Sequence, residues 1–133
     1  MYLLDTNIIS FFVKGNSIVA KKINNTPISS ITSCVFVHSE CYYGIKNEEQ
    51  ALRLIPTYNG IFETIQILEF SLDSAKEFTK QKKRLKESGN IIPDFDLMIA
   101  CTALANDLIL VTNNTKHFER IEGLELEDWT KEY

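Results

Sequence analysis

Four acidic side chains lie where they could act together: Asp5, Glu40, Asp94 and Asp96. Asp5 ends the apolar run Tyr2-Leu3-Leu4 and reads, taken singly, as a helix cap or a turn acid. Glu40 sits among Val35, Phe36, Val37, Cys41 and Tyr42, so it occupies either the one solvated stripe of a helix or an interior edge where a partner holds it. Pro93-Asp94 opens a helix, with Asp94 as the simplest N-cap and Asp96 in the first turn, where the helix dipole favours an anion. Two positions apart on a helix means different directions, so Asp94 and Asp96 are not expected to share one ligand role. Asp96, Ile99, Ala100 and Ala103 repeat at helical spacing, and the small alanines let that helix lie close on a sheet. Together Asp5, Glu40, Asp96 and Asn114 define one plausible site. Carboxylates packed within a few ångströms raise one another's pKa unless a cation compensates. Oxygen ligands select Mg²⁺ or Mn²⁺ over zinc, because His38, His117 and the cysteines show no metal-ligand spacing. Such an ion bridges phosphate oxygens and activates water, which makes phosphodiester hydrolysis the natural reaction class.

These acids need elements to position them. Short apolar runs, each followed by a helix-period segment, recur along the chain. Tyr2-Leu3-Leu4 precedes Thr6 and Asn7, either of which can cap a helix carrying Ile8, Ile9 and Phe12 and so free Asp5. Pro27 to Ile31 is a second strand, leading to a helix from about Ser33 to Lys46. Thr64 to Leu68 is a third, followed by Ser71 as N-cap of a helix to about Glu87. The Pro93 helix ends near Asn106, Leu108 to Val111 is a fourth strand, and Leu124 to Leu126 a fifth. Strands alternating with helices imply an α/β fold whose parallel sheet is covered on both faces. Chemistry then gathers outside the carboxyl ends of the strands, which singles out Asp5, the Ser29 to Ser33 segment and Thr112-Asn113-Asn114.

The chain has 133 residues, 44% hydrophobic and 24% charged, which fits one globular domain over 1–133 and excludes disordered and fibrous classes. Its first residues, MYLLDTN, lack a basic region and carry an early acid, so neither a secretory signal nor a membrane span is expected. The three cysteines, Cys34, Cys41 and Cys101, have apolar neighbours and no framework spacing, which fits a reducing cytoplasm. A net charge of −4 disfavours sequence-blind adhesion to a polyanion, so a nucleic acid partner needs a local basic patch or a bound cation. Lys76, Lys80, Lys83 and Arg84 share one helix face opposite Leu72, Ala75, Phe78 and Leu85. That face is either a solvated helix back or a track for phosphates, with Lys83 and Arg84 as its test positions.

The segments Leu3-Leu4-Asp5-Thr6-Asn7, Glu40 with Gly44, Asp96-Leu97-Met98-Ile99-Ala100, Val111 to Phe118 and Gly123 to Trp129, taken in this order, closely resemble the PIN-domain family, specifically the VapC-type toxins of bacterial toxin–antitoxin pairs. The resemblance implies a three-layer α/β/α domain with a mostly parallel sheet of four to five strands, and a Mg²⁺- or Mn²⁺-dependent endoribonuclease of RNA, possibly transfer RNA. It further implies a homodimer neutralised by a cognate antitoxin protein, with DNA met only through that antitoxin. Carried over by motif, Asp5, Glu40 and Asp96 hold the metal and Asp94 is an accessory acid. Asn114 stands where many family members carry a fourth acid, and Thr112 orients the site or the substrate. The surplus of apolar residues in Ile8 to Val13 becomes a groove for an antitoxin segment. A non-catalytic RNA- or protein-binding module is the alternative, separable by metal titration. A dehalogenase-like phosphatase is disfavoured because position 7 is Asn where that chemistry needs a second Asp.

Overall fold

Five short strands build the centre of the molecule: β1 (Tyr2–Leu4), β2 (Ile31–Cys34), β3 (Gln66–Leu68), β4 (Ile109–Val111) and β5 (Leu126–Glu127). The computed structural model describes residues 1–132. The strands run in the order β3-β2-β1-β4-β5, and each neighbouring pair is parallel. A parallel sheet needs apolar side chains on both faces, and Leu3, Leu4, Ile31, Cys34, Leu110 and Val111 are all buried. The two polar residues inside β2 spend their hydroxyls on β1. Thr32 donates to the Tyr2 carbonyl at 2.8 Å and Ser33 to the Leu4 carbonyl at 3.0 Å.

Among the described residues, seven α-helices connect these strands: α1 (Thr6–Val13), α2 (Ser17–Asn24), α3 (Val35–Tyr43), α4 (Glu48–Thr64), α5 (Leu72–Glu87), α6 (Asp94–Ala105) and α7 (Thr115–Phe118). Right-handed crossovers place the β1–β2 and β2–β3 connections on one face of the sheet. The return from β3 across to β4 puts α5 and α6 on the other. The expected alternation of strands and helices is present, with three differences in detail. Pro27 starts a single 3₁₀ turn over Ile28–Ser30, closed by Ser30 N–H to the Pro27 carbonyl at 2.9 Å, so the second strand begins four residues later than expected. Ser29 and Ser30 therefore lie before the strand and Ile31 to Ser33 inside it, so the segment does not follow the strand as expected, and Ser33 alone comes near its carboxyl end. Residues 17–24 and 48–63 carry no sequence expectation, and they are α2 and most of α4. The fifth strand lies slightly later, at Leu126–Glu127.

Helix α5 begins at its expected cap, with the Ser71 hydroxyl accepting from Ser74 N–H at 3.1 Å. It ends where Gly89, at φ +74°, lets Asn90 N–H reach the Leu85 carbonyl at 2.9 Å. Its buried stripe differs from expectation. Leu72 is 71% exposed, whereas Ser74, Gln81 and Leu85 are buried. Two polar residues thus take inward positions, which hid the phase of the helix. Gln81 is fully satisfied there. Its Nε2 donates to the Glu122 carbonyl and to Glu77 Oε1, each at 3.0 Å, and its Oε1 accepts from Glu122 N–H at 3.3 Å and from Arg84 at 3.1 Å. This amide ties α5 to the turn before β5. Gln81→Ala orphans that backbone and leaves a cavity, so its urea midpoint should fall by an amount equal to about 2–3 kcal/mol, at an unchanged slope.

Among the described residues no helix is long and apolar enough to cross a membrane.

Candidate active site

The strand order reverses between β1 and β4, and the site stands at their carboxyl ends. Asp5 follows β1 directly and continues its ladder, with its N–H donating to the Val111 carbonyl at 2.9 Å. Thr6 and Asn7 do not free Asp5 from capping, as the sequence led us to expect. Asp5 is itself the N-cap of α1, its Oδ1 accepting from Thr6 N–H at 2.8 Å. Its other oxygen, Oδ2, accepts from the Thr112 hydroxyl at 2.8 Å and from Asn7 Nδ2 at 3.2 Å. The capping geometry fixes the carboxylate and leaves one oxygen aimed at the site.

Only 5% of Asp5 is exposed. Burial pushes its pKa up to about 6, against the pull of the Thr112 and Thr6 donors, and the nearby charges of Asp96 and Glu40 add to the rise. Glu40, from α3, is half-buried and accepts from the Thr6 hydroxyl at 2.6 Å. Of the two places open to it, it takes the interior edge held by a partner. Burial raises its pKa too, Thr6 lowers it and Asp96 raises it. Asp96 sits in the first turn of α6 and meets His117 Nε2 at 3.2 Å. The charges of Glu40 and Asp96 thus reach Asp5, although the three carboxylates come from α1's cap, α3 and α6.

Asp94 does not cap α6. Pro93 is the N-cap, without a side-chain hydrogen bond, and Asp94 is the first helical residue. A proline here supplies its fixed φ and lacks the N–H that would need a partner. The Asp94 carboxylate is taken by Lys82 Nζ at 3.0 Å, drawing it toward α5 and away from Asp96. Asn114 lies just after β4, with its N–H on the Thr112 hydroxyl at 3.1 Å and its side chain exposed. Lys83 is exposed on α5. Arg84 is half-buried and occupied by Gln81, by the Arg120 carbonyl at 2.5 Å and by Glu122 at 3.6 Å.

Thr112 is the hub of the site. Its hydroxyl donates to Asp5 and accepts from Asn7 Nδ2 and from Asn114 N–H. Asn7 Oδ1 in turn accepts from Asn113 N–H at 3.2 Å, which sews α1 to the loop after β4. Thr112→Val keeps the shape and removes the donor, so Asp5 should ionise at still higher pH and activity should fall about 10- to 100-fold. A pH–rate profile is the measurement, and its acidic limb should move upward. Sequence offers Thr6 only as a helix cap and His117 only as a polar neighbour of the substrate or an exposed side chain, and neither as the partner of a site carboxylate. The adjacency of Thr6 to Asp5 was the available signal for the first, whereas the second becomes legible only when α6 and α7 meet.

Two clefts flank Glu40. One, of about 360 Å³, is lined by Ser39, Glu40, Tyr43 and Phe95. The other, of about 300 Å³, runs between α1, the end of α3 and α4. The three thiols are buried, with pKa values pushed up to about 11 for Cys34 and about 12 for Cys41 and Cys101. They stay protonated at neutral pH and offer neither nucleophile nor soft ligand.

Among the described residues no three His, Cys, Asp or Glu side chains stand together as a ready-made metal cage. A hard, hydrated cation does not need one, because Mg²⁺ keeps several waters and takes one or two carboxylates directly. The donor set is all oxygen, and its buried member resists ionisation until positive charge arrives. That chemistry fits a divalent ion.

Comparison with known proteins bears on the family and the fold. The family profile described as "PIN domain" matches residues 2–124. A curated relative from Haemophilus influenzae, "Ribonuclease VapC1", is 32% identical over 98% of this chain and 99% of its own length. The "tRNA(fMet)-specific endonuclease VapC" of Shigella flexneri is 30% identical over 97% of this chain and 98% of its own. Among solved structures, VapBC-1 from nontypeable Haemophilus influenzae superposes with a TM-score of 0.85 at 32% identity, covering 98% of both chains. DNA-bound VapBC from Salmonella typhimurium gives 0.89 at 27% identity, covering 96% of this chain and 97% of that one.

Proposed function

The chain belongs to the PIN-domain family, among its VapC ribonucleases, and on that premise we propose that it is a Mg²⁺- or Mn²⁺-dependent endoribonuclease, the toxin of a toxin–antitoxin pair. The observation that carries this reading is the buried Asp5 carboxylate at the strand-order reversal, electrostatically coupled to Glu40 and Asp96.

Asp5, Glu40 and Asp96 would hold the ion, which when bound would supply Lewis-acid chemistry for phosphodiester hydrolysis. The protein's own work is orientation. Thr112 and Thr6 N–H fix the Asp5 carboxylate, the Thr6 hydroxyl fixes Glu40, and His117 fixes Asp96. Asn114, at the same strand end, contacts the substrate or a bound water. Hydrolysis leaves a 5′-phosphate and a 3′-hydroxyl. Asp94 stays an accessory acid whose charge is shared with Lys82, and Lys83 is the residue of α5 free to meet RNA.

The relatives named as transfer RNA endonucleases make a transfer RNA the substrate to try first. The structural neighbours solved as VapBC complexes support an antitoxin partner, with DNA contacted through it. A cleft of about 380 Å³ lined by Ile9, Phe12, Ile23, Ile28, Ile61 and Ile65 offers that partner an apolar seat. Homodimerisation and a cytoplasmic site of action complete the reading.

The decisive experiment incubates the purified chain with initiator transfer RNA in Mg²⁺, Mn²⁺ or EDTA and maps the ends. Discrete cuts with 5′-phosphate ends in either ion and none in EDTA are expected. RNA binding without cleavage in either ion would replace the nuclease by a binding module.

A further inference from the structure

A strand that brings its scissile phosphate to three carboxylates needs positive charge close by, on a chain whose net charge is −4. On the basic helix α5, Lys82 is paired with Asp94 and Arg84 is occupied by Gln81, Arg120 and Glu122, while the exposed Lys76, Lys80, Lys83 and Lys86 line neither cleft beside Glu40. The cleft of about 300 Å³ on the α4 side of Glu40 is different. Lys14, just after α1, Lys46, between α3 and α4, and Arg53, in the second turn of α4, all line it. Three cations from three separate segments converge there, which a solvated helix face does not achieve. All three are exposed, and none has a carboxylate within 4.0 Å among the described residues.

The cleft also shares its wall with the acidic centre, since Glu40 and Thr6 line it too. On the opposite side of Glu40 stand Tyr43, 92% exposed, and Phe95, which bring no charge. Of the two clefts beside Glu40, only the one on the α4 side therefore offers cations to a backbone phosphate. Resting on the nuclease reading above, we propose that the Lys14–Lys46–Arg53 cleft is a phosphate subsite that grips the RNA backbone next to the scissile bond. Its continuity with Glu40 favours an RNA phosphate over the acidic side chains of a protein.

The test uses the full chain and a fluorescent, mixed-sequence single-stranded RNA, with affinity read by anisotropy in EDTA over a salt series and cleavage read in Mg²⁺. The Lys46→Ala/Arg53→Ala double variant should keep its melting temperature, bind RNA about tenfold more weakly at low salt, and lose about 0.7 from the log–log salt slope for each phosphate contact removed. Its cleavage should suffer in KM more than in kcat, and Arg53→Lys should keep most of the affinity. Lys21→Ala/Lys131→Ala makes the same charge change elsewhere and should leave binding as in wild type. A double variant that binds RNA like wild type with an unchanged slope overturns the subsite. So does one that keeps RNA affinity while losing capture of polyglutamate, which would assign the cleft to an acidic protein partner. A wild-type chain that neither binds nor cuts RNA brings down the nuclease reading instead, so the two failures are distinguishable.

Discussion

Asp5→Asn should abolish RNA cleavage, by about 10³-fold or more, and yet leave the metal-free protein at least as stable as wild type near neutral pH. The two halves come from the same carboxylate. On the proposed reading it is a metal ligand, and a neutral amide in its place would not supply the charge that a divalent ion needs. As a buried anion it is a liability when no cation is bound. Its pKa is raised from 3.8 to about 6, so between these values the folded chain keeps a proton that the unfolded chain has released. Stability of the metal-free protein then declines as pH rises through that window, and the full penalty stands above pH 6, at most about 3 kcal/mol. Asparagine removes the penalty. It keeps the oxygen that caps Thr6 N–H, and the Thr112 hydroxyl can turn to accept from the new amide, at a loss of about 1 kcal/mol where the amide opposes Asn7 Nδ2. Thermal melts across pH in EDTA test this, with the wild-type slope between pH 4 and 6 flattened in the variant. Retained cleavage would remove Asp5 from the chemistry, and a variant that melts well below wild type at neutral pH would show the carboxylate to be structural.

The legible parts of this site were those in which local sequence sets position. Asp5 follows an apolar run that can only be a buried strand, and Asp96 stands in the first turn of a helix opened by Pro93. What sequence could not show is who holds each acid. The Thr6–Glu40 bond spans 34 positions, His117–Asp96 spans 21 and Thr112–Asp5 spans 107, and each exists only once the strands are ordered. Helical spacing already points Asp94 and Asp96 in different directions, but only the packing of α5 against α6, which brings Lys82 to Asp94, shows what holds the first of them.

The fold shows the same division. The apolar runs of β1 and β4 and the Ser71 cap of α5 declare themselves. Helix α4 does not, because Pro56 and Gly60 interrupt it and its outer face is largely exposed. Its start was nevertheless written in Asn47-Glu48-Glu49-Gln50. There Asn47 Oδ1 accepts from Gln50 N–H at 2.9 Å and Gln50 Oε1 accepts from Lys46 N–H at 2.9 Å. That missed helix is the one that carries Arg53 to the cationic cleft, so the least legible element bears on how substrate reaches the acids.

Divalent ion should stabilise the wild-type chain, and the stabilisation should fade as pH falls through about 6. Ligand binding to the folded state at about ten times its Kd contributes about 1.4 kcal/mol, which for a domain of this size is a rise of about 5 °C in Tm. If the ion binds at Asp5 as proposed, a proton and the cation would compete for that carboxylate, and the raised pKa of Glu40 would add a second competition of the same sign. Acidification therefore weakens the ion's hold before it unfolds the chain. The experiment is a matrix of melts with Mg²⁺, Mn²⁺ or EDTA at several pH values, run on wild type and Asp5→Asn. The shift should be present near neutral pH, nearly gone below about pH 5, and absent in Asp5→Asn throughout. A shift of equal size at every pH would place the ion away from Asp5. In a site assembled from three elements, an ion that neutralises carboxylates destabilising one another stabilises the fold and creates the reactive centre in one step, so the pH at which Tm loses its metal dependence should match the acidic limb of the cleavage profile.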